Sequence, residues 1–321
     1  MGGFQVQSQP WLLVDQTSAS LLDGSNAGIM GLAFDTIANT GAVPFWQTLA
    51  QGGQLSTPEM SFWFTRFLGD TSAQEEEFGG IFTLGGQNQT LFTGDIEFLP
   101  LVTNAGRQTY WLLSVSGTYP SPLSPQLFPT RISIAGITVN GQTVTLPSGN
   151  LAAIDTGTTL IGGPSAAVSA IYAQIPGSQP LSGNLAGFYG FRMFLSLLVN
   201  PNLNIMNYAF SLACDTTVSV TMAFGGKAWP IDAQDMNLGR ASATSDICAG
   251  GIFDLSAGSS IGEGGGNPNW VVGATFLKNV YSVFRSQPAA IGFAELSNAA
   301  GGSSGERCNL ASSFYREICA L

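Results

Sequence analysis

The chain has 321 residues, 45% hydrophobic and only 9% charged, and ten basic against twenty acidic residues give it a net charge of −10. It contains no histidine, which excludes Ser-His-Asp and Cys-His catalysis in their usual form and nearly every catalytic zinc site. With two lysines, Lys227 and Lys278, no G-x-x-x-x-G-K-[ST] loop and a pI near 4.2, it offers neither a phosphate cradle nor a basic footprint for nucleic acid. Carboxylates are the reactive groups that remain.

In chain order, "MGGFQVQSQPWLLVD" has neither the basic nor the apolar region of a signal peptide, and Val6 stands where myristoylation needs Ser or Thr. "PFWQTLAQGG" (44–53) predicts a helix ending on glycine. Short strand-like runs follow at "EMSFWFTRF" (59–67), "GGIFTLGG" (79–86), "DIEFLPLV" (95–102) and "TYWLLSVS" (109–116). Asn88 opens an Asn-Gln-Thr glycan-acceptor triplet. Residues 117–131, "GTYPSPLSPQLFPTR", hold four prolines and interrupt the strand pattern. "AGITVNGQTV" (135–144) reads as a hairpin turning at Asn140-Gly141.

Beyond the hairpin comes "LAAIDTGTTLIGGP" (151–164), then a helix predicted over 163–175 from Pro164. Residues 193–213 carry no charge, but four asparagines and a proline break their apolar stretches too often for a membrane span. Strand-like "TVSVTMAF" (217–224) and "YSVFRSQ" (281–287) complete the body, and a Gly/Ser-rich tail follows Ser297. The class is mostly β, without the regular strand–helix alternation of a doubly wound fold. Cysteines 214, 248, 308 and 319 fit either disulfides in an oxidising compartment or four buried thiols.

Asp155 is the residue on which chemistry can centre. Asp-Thr-Gly alone is a common turn. Here, however, Ala152, Ala153 and Ile154 bury the approach, and Gly157 permits a tight turn with its backbone open to a ligand. Thr156, Thr158 and Thr159 add hydroxyls that can hold carboxylate oxygens. "AGIMGLAF" (27–34) and "NWVVGATF" (269–276) share two apolar residues, a glycine and a later phenylalanine, which makes a short internal echo.

These segments resemble the pepsin-like aspartic endopeptidases, especially secreted fungal members of the polyporopepsin type, over most of residues 1–297. "AAIDTGTTLIGGP" is similar to the C-terminal-lobe active-site motif, "WVVGATFLKNVYSVF" to its partner loop, and "AIGFAELS" to the end of the fold. "GIMGLAF" is similar to the N-terminal lobe's partner loop, so the echo becomes two-lobe pseudo-symmetry. The resemblance implies a bilobal fold in which two aspartates share a proton and activate water to cleave polypeptides at acid pH.

Asp155 is then one catalytic aspartate, with Thr156 bracing the loops and Thr158 bonding the carboxylate. Gly157, Thr159 and Tyr110 would bind substrate, and Cys214 would pair with Cys248. No cofactor or metal is implied. The expected protein is a secreted monomer, inhibited by pepstatin-type compounds if its dyad is complete, with no nucleic-acid or membrane partner.

The first D-[ST]-G and the tyrosine-bearing flap of this family are absent upstream of Gly31. The expectation is therefore an N-terminally truncated chain, inactive as it stands. It would comprise a partial N-terminal lobe (1–98), a C-terminal lobe (99–297) and a tail (298–321). Residues 117–131 and 193–213 read as translated introns, since removing them brings the spacing closer to the family's. A non-catalytic binding or inhibitor protein is the alternative.

Overall fold

The computed structural model describes residues 2–16, 28–67, 73–74, 77–103, 106–115, 136–147, 149–192, 218–242, 245–259 and 267–302. Both proline-rich 117–131 and uncharged 193–213 lie outside these, as do Cys214, Cys308 and Cys319.

Helix α1 (Phe45–Gln51) starts after Pro44 and stops at Gly52, burying Trp46 and Leu49. Strand β1 (Glu59–Phe64) is covered on both faces, burying Glu59 and Ser61 along with Met60, Phe62 and Trp63. β2 (Gly80–Leu84) pairs with it, and β3 (Phe92–Pro100) follows. β4 (Leu112–Ser114) leads to the hairpin β5 (Ile137–Val139) and β6 (Gln142–Val144). Asn140 and Gly141 turn that hairpin with φ of 51° and 76°, the left-handed pair expected of an Asn-Gly turn.

β7 (Leu151–Ile154) and β8 (Ile161–Gly163) flank the Asp155 loop, and α2 (Ser165–Ala173) begins one residue after Pro164. β9 (Gln179–Pro180), β10 (Tyr189–Arg192), β11 (Val220–Ala223), β12 (Ala228–Ile231), β13 (Asn237–Arg240) and β14 (Ile247–Gly250) are short strands. β15 (Ile252–Asp254), α3 (Leu255–Gly258), β16 (Trp270–Val272) and α4 (Ala274–Leu277) precede the closing pair β17 (Tyr281–Ser286) and β18 (Ala289–Leu296).

These strands form four sheets, ordered β2-β1-β17-β18-β3, β13-β14-β10-β9, β12-β11-β5-β6 and β15-β8-β16-β7-β4. The first joins strands from both ends of the chain, so Met60 and Phe62 share one core with Ile154, Val272 and Phe284. The other face of that sheet buries Trp63, Tyr281 and Val283 in a second cluster. Cys248, on β14, is buried and disulfide-bonded. No helix among the described residues is long and apolar enough to cross a membrane.

Candidate active site

The last sheet positions Asp155. β16 lies between β7, to which it runs parallel, and β8, to which it runs antiparallel. The chain must therefore leave β7, loop through 155–160 and return on the far side of β16. Asp155 prolongs the β7–β16 ladder by donating its N–H to the Val272 carbonyl at 3.0 Å. Beyond β16 the loop is stitched in place. Gly273 donates to Leu160 O at 3.0 Å, Ala274 to Thr158 O at 2.8 Å and Thr275 to Thr159 O at 2.9 Å. Gly273 has no room for a side chain, since a Cβ there would lie 2.1 Å from the Thr158 carbonyl oxygen.

Both carboxylate oxygens of Asp155 are engaged. The Gly157 N–H donates to Oδ1 at 2.9 Å, and the Thr158 hydroxyl donates to Oδ2 at 2.6 Å. A Cβ at position 157 would crowd Oδ1 at 3.3 Å, so glycine lets the loop close this tightly on the carboxylate. Asp155 is half-buried and faces a cavity of ≈ 590 Å³. Thr156, Gly157, Thr158 and Tyr110 share that lining, with Met60, Phe62, Trp111 and Phe284 as its apolar walls. Among the described residues Asp155 is the only carboxylate in the lining.

The sequence-predicted residues thus separate into two groups. Asp155, Thr156, Gly157, Thr158 and Tyr110 are brought together. Thr159 is exposed outside the cavity lining and contributes its carbonyl to Thr275. The Thr156 hydroxyl has no hydrogen-bond partner among the described residues.

The echo segment also borders the cavity. Ile29, Met30 and Gly31 share its lining with the aspartate loop. Their surroundings differ sharply from those of the second copy. Val271 and Val272 are 8% and 0% exposed, whereas Ile29 is 72% exposed. A Cβ on Gly31 would meet none of the described residues within 4 Å. Two indoles that the sequence did not single out hold this segment. Trp111 Nε1 donates to Leu32 O at 2.8 Å and Trp46 Nε1 to Ala33 O at 3.1 Å. Phe34 packs against both, with ring centroids 4.7 Å and 5.4 Å from theirs. The Trp111 carbonyl also accepts from Ile154 N–H, so one residue ties the echo segment to the strand that leads into Asp155.

Compared with known proteins, residues 1–296 match the family model for eukaryotic aspartyl proteases. The chain belongs to that family. It is 37% identical over 312 residues to the major aspartyl peptidase 1 of Cryptococcus neoformans var. grubii, covering 95% of this chain and 54% of that protein. It is 30% identical over 293 residues to an aspartic protease of Phaffia rhodozyma, covering 91% and 57%. Pepsin A of Sus scrofa is 22% identical over 270 residues, covering 83% and 53%. The chain spans about half the length of the curated relatives it matches. Within the aspartyl protease family, the mostly-β class expected from the sequence is the one this chain adopts, its described strands forming four sheets.

Proposed function

We propose that Asp155 is one of two aspartates that activate water in an acid endopeptidase acting on polypeptides, and that these 321 residues supply one half of that site. The observation carrying this reading is the Asp155 carboxylate, fixed by Gly157 and Thr158 at the wall of a cavity with apolar sides. Such a cavity accepts an extended peptide with apolar side chains, while Tyr110 and the Gly157 backbone offer polar contacts. In the reaction, one carboxylate of the pair takes a proton from water as the water attacks the scissile carbonyl. The other, protonated, hydrogen-bonds the carbonyl oxygen. With one D-[ST]-G in the chain, the second member must come from additional polypeptide, and the chain alone is inactive.

The disulfide at Cys248 supports an oxidising, extracellular setting, with Cys214 as the bridge partner. Thr156 takes a supporting role in the same loop, and Thr159, exposed beyond the lining, meets substrate only where it extends out of the cavity. The protein works as a monomer without cofactor, and pepstatin-type compounds occupy the completed cleft.

A second reading, a non-catalytic binding or inhibitor protein, is favoured by one observation: the cavity lining holds a single carboxylate among the described residues. The test joins this chain to a segment carrying a second D-[ST]-G. Peptide cleavage is then assayed at about pH 3–4, where a coupled carboxyl pair retains one proton. Pepstatin-sensitive cleavage supports the enzyme. A folded, pepstatin-binding product without cleavage supports the binder.

A further inference from the structure

The crossover between β2 and β3 presents a built acceptor for covalent modification. These two strands occupy opposite edges of the five-stranded sheet, so residues 85–91 pass across its end. The strap is pinned along its length. The Asn88 N–H donates at 2.7 Å to the Tyr281 hydroxyl, which in turn donates to Ser61 Oγ in the buried layer beneath. Ser297 donates its hydroxyl to Thr90 O at 2.6 Å and its N–H to Leu91 O at 3.1 Å. Asn88 therefore sits in a turn whose backbone is fixed by β17 and by the end of β18.

Asn88 also opens the only Asn-x-Ser/Thr triplet in the sequence. Its side chain is oriented by the third residue of that triplet. Oδ1 accepts from the Thr90 hydroxyl at 2.7 Å and from the Thr90 N–H at 3.1 Å. The carbonyl end of the amide is thereby occupied, while Nδ2 has no hydrogen-bond partner among the described residues. Gln89 and Thr90 are exposed, which leaves the space beside Asn88 open to solvent.

We infer that Asn88 Nδ2 carries an N-linked oligosaccharide, taken from a lipid-diphosphate-linked sugar donor. The bond from Nδ2 to the sugar's anomeric carbon forms as Nδ2 loses one proton. The bond from that carbon to the donor's diphosphate oxygen breaks, and the lipid diphosphate leaves with the electron pair. A bulky solvated group is accommodated because it projects from a turn and displaces neither the Tyr281 anchor nor the Thr90 contacts. The inference rests on passage through a secretory compartment, which the experiment supplies independently.

The full 321-residue chain is translated behind a cleavable secretion leader in the presence of endoplasmic-reticulum microsomes. A second acceptor triplet appended after Leu321 records translocation. Wild type gains two glycosidase-sensitive mass steps, while Asn88→Gln and Thr90→Ala each lose one. Thr90→Ser, which keeps the hydroxyl, retains both. Because the transfer is scored on translocated chain, a variant that folds poorly is still read. A wild-type chain glycosylated only at the appended triplet, or a second step that persists in Asn88→Gln, overturns the inference.

Discussion

Asp155 differs from an ordinary turn aspartate in what its two oxygens touch. Each accepts one local bond, from the Gly157 N–H and the Thr158 hydroxyl, and these fix the carboxylate plane relative to the cavity. A hydrogen bond to a charged group contributes roughly 1.5–3 kcal/mol. Thr158→Ala should therefore lower kcat/KM of the completed enzyme by about 10- to 100-fold, with Thr158→Ser recovering most of it. The check is a peptide-cleavage assay on protein whose folding is matched by circular dichroism. A second residue-scale expectation concerns alkaline pH. Burial pushes the Tyr172 phenol up strongly, against the bond to the Ile252 backbone that lowers it, and burial also raises Tyr281. Both keep their protons in the folded state after the unfolded chain begins to lose them. The stability they contribute is intact below about pH 10 and falls as pH rises beyond it. Tyr172→Phe should flatten that alkaline fall in thermal melts, at a cost of about 1 kcal/mol near neutrality from the lost bond to Ile252.

At the scale of elements, the two glycines of the internal echo offer a paired test. Gly273 is clamped, with a Cβ meeting Thr158 O at 2.1 Å, while Gly31 is open. Gly273→Ala should cost several kcal/mol through displacement of the aspartate loop. Gly31→Ala should change stability by less than about 0.5 kcal/mol. Urea melts of both variants measure the contrast, and equal costs would argue against the threaded-loop assignment. Asp-Thr-Gly after a small apolar strand, and the two echo segments, were legible in the sequence because each is short and depends on local backbone chemistry. So were α1, α2, the Asn140-Gly141 hairpin and most long strands, whose periodicity and stop signals are local. The indole bonds from Trp46 and Trp111 were not legible. Both residues read simply as apolar positions, and their roles depend on carbonyls 13 and 79 residues away in sequence. Thr159 sat within the motif, yet only the return of the chain around β16 turned it outward.

For the molecule as a whole, the five-stranded sheet makes early and late chain segments interdependent. β1 pairs with β17, and β3 with β18. Beside this sheet Arg66 reaches Asp235, with Nη2 2.6 Å from Oδ2, and the Asp235 side chain is fully buried. Asn279 joins them, donating to Asp235 Oδ2 at 3.0 Å and accepting from Arg66 at 2.9 Å. Arg66→Ala leaves a buried carboxylate with, among the described residues, only Lys278, 3.8 Å away, as a cationic partner. That should cost about 3–5 kcal/mol, whereas Arg66→Met combined with Asp235→Leu should cost less than the single change. Differential scanning calorimetry of the two variants decides it. Elsewhere, among the described residues, several large apolar side chains lie open to solvent. Trp11 is 90% and Leu13 96% exposed, close in sequence to the open Ile29 segment. Exposed large side chains of this kind favour self-association, so the isolated chain should show concentration-dependent light scattering.

The single most direct measurement is pepstatin-sensitive peptide cleavage at acid pH, compared for three proteins. These are the chain alone, the chain joined to a segment bearing a second D-[ST]-G, and the joined protein carrying Asp155→Asn. The prediction is no cleavage by the first, cleavage by the second, and a loss of about 10²-fold or more in the third. Cleavage that survives Asp155→Asn, or that the chain performs alone as a monomer, would contradict the assignment of Asp155 as half of a two-carboxylate site.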